Sequence, residues 1–170
     1  MLTNVEKSLY TFKNRVQKNA RRNIKKKSSS SKLQQSIKGS VIKTREGYEI
    51  PFEMADYAMY VDQGVKGKGG TKADGSKWIK KRVTTKSYKY KNKQPPIKAF
   101  EQWAKKNIPN PRDSKGRFIT RRSLTFALSK HVYHTGLKTT LFFTRPWERQ
   151  LKILENDLGD SFAKDILDAI

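Results

Sequence analysis

The sequence predicts an α+β fold: a small antiparallel sheet flanked by helices, with a long basic glycine-containing arm. Three observations carry that expectation. Apolar residues recur at helical spacing toward both ends of the chain, and short β-branched runs flank Arg45-Glu46-Gly47. Residues 64–95 hold five glycines and 11 basic residues, with almost no aliphatic side chains to bury. A length of 170 residues suits one domain over 1–170, with 64–95 as an exposed arm or loop, or a hairpin whose arms include Trp78-Ile79 and Tyr88-Lys89-Tyr90.

The first element is an amphipathic helix over 3–24, because Val5, Leu9, Phe12, Val16 and Ala20 keep to one face. Thr3 or Asn4 caps its start, Arg21, Arg22 and Lys25–Lys27 suit its negative end, and Ser28–Ser31 stops it as a linker or turn. Ser36–Ile42 and Tyr48–Met54 then read as strands of a hairpin around the Arg45–Gly47 turn. Pro51 has no N–H for a ladder, so its strand is an edge or is broken there. Ala55–Gly64 reads as a short helix with Tyr57, Tyr60 and Val61 facing inward. After the arm, Pro95-Pro96 leads into a helix over Ile97–Asn107, with Ile97, Phe100, Trp103 and Ala104 on one face. A further helix, Phe118–Tyr133, buries Leu124, Ala127, Leu128 and Val132, and Leu137–Thr144 is extended. Pro146 opens the last helix as its first residue, and Gly159 weakens or splits it. Phe142, Phe143 and Trp147 are expected to pack on Val5, Leu9 and Phe12.

Charge is the dominant compositional fact: 38 Lys or Arg against 15 Asp or Glu, a net +23. It is striped. Residues 1–45 hold 13 basic and one acidic residue, 46–63 hold five acidic and none basic, and 64–94 hold 11 basic and one acidic. Such a chain meets a polyanion with its basic parts, or a second copy of itself through opposite patches. Without cysteine, disulfides, thiolate metal sites and Cys nucleophiles are excluded. No apolar stretch approaches the roughly 20 residues of a membrane span, and no secretion signal is seen at the start, so a soluble intracellular product without membrane contact is expected.

Candidate chemistry is sparse, and no enzyme, cofactor or metal site is expected. Gly64, Gly67, Gly69 and Gly70 beside Lys66, Lys68 and Lys72 invite a phosphate loop, but Gly75-Ser76-Lys77 has the nucleotide-loop order wrong. His131 and His134 lack a third metal ligand and read as helix-end histidines. Glu46, Glu49, Glu53, Asp56 and Asp62 form an acidic patch without a nuclease signature, so a subunit contact suits them better. Trp78, Ile79, Tyr88 and Tyr90 are apolar enough to seek a neighbour, which makes the arm a candidate assembly contact ordered by a second subunit. The same interleaved aromatics and cations would also stack bases and neutralise phosphates. Lys80, Lys81, Arg82, Arg121 and Arg122 are the candidate DNA-facing residues.

The order of several segments resembles a known family. Tyr57-Ala58-Met59-Tyr60-Val61-Asp62-Gln63-Gly64 resembles the tyrosine–alanine–x–tyrosine–valine–acidic–x–glycine segment of tailed-bacteriophage head–tail joining proteins, also called tail-completion or neck proteins. A basic glycine loop follows, as in that family. Pro95–Ala104, Phe126-Ala127-Leu128 and Gly136-Leu137-Lys138-Thr139-Thr140-Leu141-Phe142-Phe143 resemble its later segments, so the likeness spans about residues 48–150. Trp147 departs from it, standing where a small residue is expected. The resemblance implies a non-enzymatic virion protein of the neck or tail, present in host cytoplasm during assembly. Its copies would form a homo-oligomeric ring between a portal-side connector and tail proteins, with genomic DNA passing its basic surface. The alternative from composition alone is a basic, sequence-independent nucleic-acid-binding protein acting outside the virion.

Overall fold

The computed structural model describes residues 3–27, 31–81, 83 and 88–170. The architecture is α+β, with helices and small two-stranded antiparallel sheets. Residues 1–170 are expected as one domain; their packing divides them into two compact units, one of the chain up to Ala58 with Leu141–Ile170, the other of Met59–Thr140.

The first unit is organised by two long helices, α1 (Asn4–Lys27) and α6 (Thr144–Leu167), which run antiparallel. The apolar stripe that predicts α1 is the stripe that is buried: Leu9, Phe12, Val16, Ala20 and Ile24. Leu9, Phe12 and Val16 form a core cluster with Leu154 of α6, and Phe143 packs against it. Phe142 is fully buried, whereas Trp147 is exposed and leaves the expected trio. The helix ends are tied by polar groups. Asp165 accepts the backbone N–H groups of Asn4 (2.7 Å) and Val5 (3.0 Å), and the Ser8 and Ser161 hydroxyls meet at 2.7 Å. Those amides hold the Asp165 carboxyl below its usual range, since N–H donors favour the charged form.

Between these helices in sequence comes α2 (Ser31–Ser36), which places Leu33 in the interior. It begins where a linker is expected; Ser28–Ser30 lie outside the described residues. One interrupted hairpin follows. In it β1 (Lys38–Gly39) pairs with β4 (Phe52–Glu53), and β2 (Ile42–Lys43) with β3 (Tyr48–Glu49). The break falls at Pro51, whose carbonyl still accepts from Ser40 N–H at 3.1 Å while its nitrogen has nothing to donate. The Phe52 ring stands edge-on to Phe12 and Phe143, so the hairpin is fastened to the helical core by aromatic contacts. Helix α6 runs unbroken through Gly159, and it starts at Thr144, so Pro146 sits third; in the first turn its missing N–H costs no bond.

The second unit is held by buried polar groups as much as by apolar ones. Helix α3 (Ala58–Gln63) buries Ala58 and Asp62, four residues apart; of the three residues expected to face inward, Tyr60 and Tyr57 just before the helix are exposed and Val61 is half-buried. Strand β5 (Val65–Lys66) pairs antiparallel with β6 (Gly136–Leu137). The expected extended run Leu137–Thr144 is a strand only at its start; beyond it, Thr139 and Thr140 hydroxyls donate to the Gln63 and Val61 carbonyls at 2.7 Å. Helices α4 (Lys98–Asn107) and α5 (Arg121–Thr135) complete the unit. The buried stripe of α5 is Thr125, Ser129 and Tyr133, while Ala127 is exposed. The polar stripe buries without penalty because each hydroxyl donates to a carbonyl: Thr125 to Arg121, Ser129 to Pro95 (2.6 Å) and Tyr133 to Lys91 (2.7 Å).

Candidate nucleic-acid interface

The segment expected as an exposed arm is anchored, at least in its described residues, to the C-terminal end of α5. The last carbonyls of a helix have no partner within it, and loop amides take that role here. Lys68 N–H donates to Tyr133, Gly69 N–H to His134 and Lys81 N–H to Thr135, at 2.9, 2.9 and 2.7 Å. Lysines at this end of a helix also suit its dipole. The approach is close enough to require glycine. A Cβ on Gly67 would run into His134 O and sit 2.5 Å from Gly136 N, and one on Gly136 would stand 2.6 Å from Gly67 N. Gly64, Gly67 and Gly69 are accordingly buried, and only Gly70 of the four is exposed.

The aromatic residues of the segment face inward. The Trp78 ring stacks on His134 with centroids 5.0 Å apart and meets His131 edge-on, with Lys72 Nζ 5.4 Å from its centroid. His134 donates Nδ1–H to Gly69 O at 2.6 Å, since a carbonyl can only accept. Desolvation, reinforced by Lys81 and Lys72, holds the His131 imidazole below its usual range. Tyr88 packs edge-on to Tyr60 at 4.7 Å, and Tyr90 leans on Tyr133 at 6.0 Å. The aliphatic Ile79, expected to seek a neighbour with them, is instead 85% exposed. Tyr88 and Tyr90 lie on either side of Lys66 in the backbone ladder: Lys66 N–H donates to Tyr88 O and Tyr90 N–H to Lys66 O.

This framework opens a groove of about 720 Å³ whose charged lining, among the described residues, is six lysines, Lys66, Lys68, Lys80, Lys81, Lys89 and Lys91, with no carboxylate. The candidate DNA-facing residues therefore separate. Lys80 and Lys81 line this groove, while Arg121 and Arg122 line another between α4 and α5, with Lys98, Lys105 and Glu101. Arg82 lies outside the described residues. The acidic patch separates too. Glu46, Glu49, Glu53 and Asp56 are exposed, but Asp62 is fully buried and takes no part in a surface contact. Among the described residues, no group of three or more His, Asp or Glu side chains converges on a point where a metal would sit. No helix among them is long and apolar enough to cross a membrane.

Sequence reading missed the α5 hydroxyl stripe and the role of Gly136. The first has no periodic apolar signal. The second was visible as a lone glycine after a helix, but nothing local tells that its partner is Gly67. Comparisons with protein-family models, curated proteins and solved structures return no match.

Proposed function

We propose that this chain is a non-enzymatic structural protein of a tailed-phage virion, forming a ring in the neck or tail that joins the DNA-filled head to the tail and lines the genome path. The observation that carries the reading is the pairing of β5 with β6. It joins the two residues that directly follow the segment ending in Gly64 to the start of the segment beginning at Gly136, and so holds two of the segments on which the family resemblance rests side by side. In sequence they are far apart; in the fold Gly64 lies so close to the backbone of Leu137 and Thr139 that no side chain is admitted there. The basic surface, at net +23, then has a physical use beside a passing polyanion.

The test is electron microscopy of particles made with and without the gene. Filled heads and unjoined tails are expected without it, and a ring of this chain at the junction with it. Purified particles that lack the protein would overturn the reading. They would favour the second one, a nucleic-acid-binding protein acting outside the virion, which the lysine groove also supports.

A further inference from the structure

We infer that the groove lined by Lys66, Lys68, Lys80, Lys81, Lys89 and Lys91 is a binding site for the phosphate backbone of duplex DNA, taken without regard to base sequence. The inference rests on the proposed function only in identifying that DNA with the virion genome. The first argument is energetic. Lys66 and Lys89 are bridge partners in the ladder, so folding sets like charges side by side. Such a pairing is unfavourable unless an anion offsets it. Among the described residues, none of the six lysines is in an ion pair.

The second argument is that the site is held in place. Lys66, Lys68 and Lys81 are fixed by backbone bonds to Tyr88, Tyr133 and Thr135, so their Cα positions do not depend on a ligand. The third concerns which part of a nucleic acid is read. Single-strand binders offer free aromatic faces for bases to stack on. Here Trp78 and Tyr88 are engaged with His134 and Tyr60 and do not line the groove, and Tyr90, the one aromatic residue among its described lining, leans on Tyr133, so the lining is cationic far more than aromatic. That chemistry suits phosphates outside a duplex.

An acidic surface on a second copy is the competing occupant, and its charge is less concentrated than the sequence suggests. Glu53 stands in register with Lys38 on β1. Glu49 is in register with Ile42, next to Lys43, which is itself within 4.0 Å of Glu6.

The experiment measures binding of the full chain to a short mixed-sequence DNA duplex by fluorescence anisotropy across salt concentrations. A variant with Lys66→Gln, Lys80→Gln, Lys81→Gln and Lys89→Gln is compared with one of equal net charge, Lys18→Gln, Lys25→Gln, Lys32→Gln and Lys152→Gln. Each phosphate contact adds about 0.9 to the slope of log affinity against log salt. The groove variant should lose about 3 to 4 from that slope, and the control variant little. Single changes Lys81→Gln and Lys89→Gln, which spare the fold, should each lose about 1. Equal losses in both quadruple variants would mean diffuse charge and overturn the site. So would an unchanged slope; if self-association fell instead, the occupant would be the acidic surface of another copy. Presence in particles with an unchanged slope would sink the groove alone. A groove-dependent slope in a protein absent from particles would sink only the virion reading.

Discussion

Gly67 shows how one position can decide the geometry of a site. Its missing side chain is where His134 O and the Gly136 amide lie, and those are backbone atoms that cannot swing away. Gly67→Ala is therefore expected to destabilise the Met59–Thr140 unit by about 1–3 kcal/mol, the usual range for overpacking. Urea denaturation of the full chain in a Trp147→Phe background, which leaves Trp78 and Trp103 as the emitters, would read it. A wild-type midpoint would mean the β5–β6 approach is looser than described. At this scale the sequence was partly legible. Glycines beside lysines announced an unusual loop, and the loop reading was of a free arm because nothing local says which helix end those amides will cap. Asp62 was misplaced for a related reason: a carboxylate in a charged run looks exposed until Ala58, four residues before it, is seen to point inward.

At the scale of elements, α1 and α6 were the most legible, since a stripe of Leu, Phe and Val at helical spacing has one stable use. The hidden faces were those of α3, which buries Ala58 and Asp62, and α5, which buries hydroxyl-bearing residues. Hydropathy does not mark such residues, because their burial depends on a carbonyl arriving from elsewhere in the chain, as Pro95 O reaches Ser129. Two predictions belong here. Gly159 lies mid-helix with open space, nothing within 4 Å, where a methyl group would stand, so Gly159→Ala should stabilise the chain by about 0.5–1 kcal/mol. A fall in thermal midpoint would count against a continuous α6. Asp165 is the charged clasp between the two long helices, and its carboxyl sits below the ordinary range. A depressed carboxylate adds stability above its unfolded pKa, and that contribution is lost as pH falls through the folded value. Asp165→Asn should therefore lower the midpoint at pH 7, and the gap from wild type should close in acid. A gap that persists below the ordinary carboxylate range would assign the loss to packing.

Considered whole, the molecule is a unit made of two distant stretches of chain with a second unit inserted between them. The ends of the insert lie together: Thr140 N–H donates to Asp62 O at 3.0 Å, and Thr139 hydroxyl to Gln63 O at 2.7 Å. Replacing residues 59–140 with a short glycine–serine linker is thus expected to leave a helical protein that melts cooperatively, as insertions between adjacent ends usually allow. A non-cooperative melt by circular dichroism would show that the α1–α6 core needs the insert. The same topology imposes an order on the chain as it leaves the ribosome. Helix α1 is made before its partner α6, which emerges only after every residue of the insert, so until Leu154 arrives Leu9, Phe12 and Val16 have only the hairpin side of their core, Phe52 among it. The insert, whose strands and helices need nothing downstream of Thr140, is able to close first. The pairing of α1 with α6 is then the last part of the core to be completed, although one of its two helices is made well before the insert.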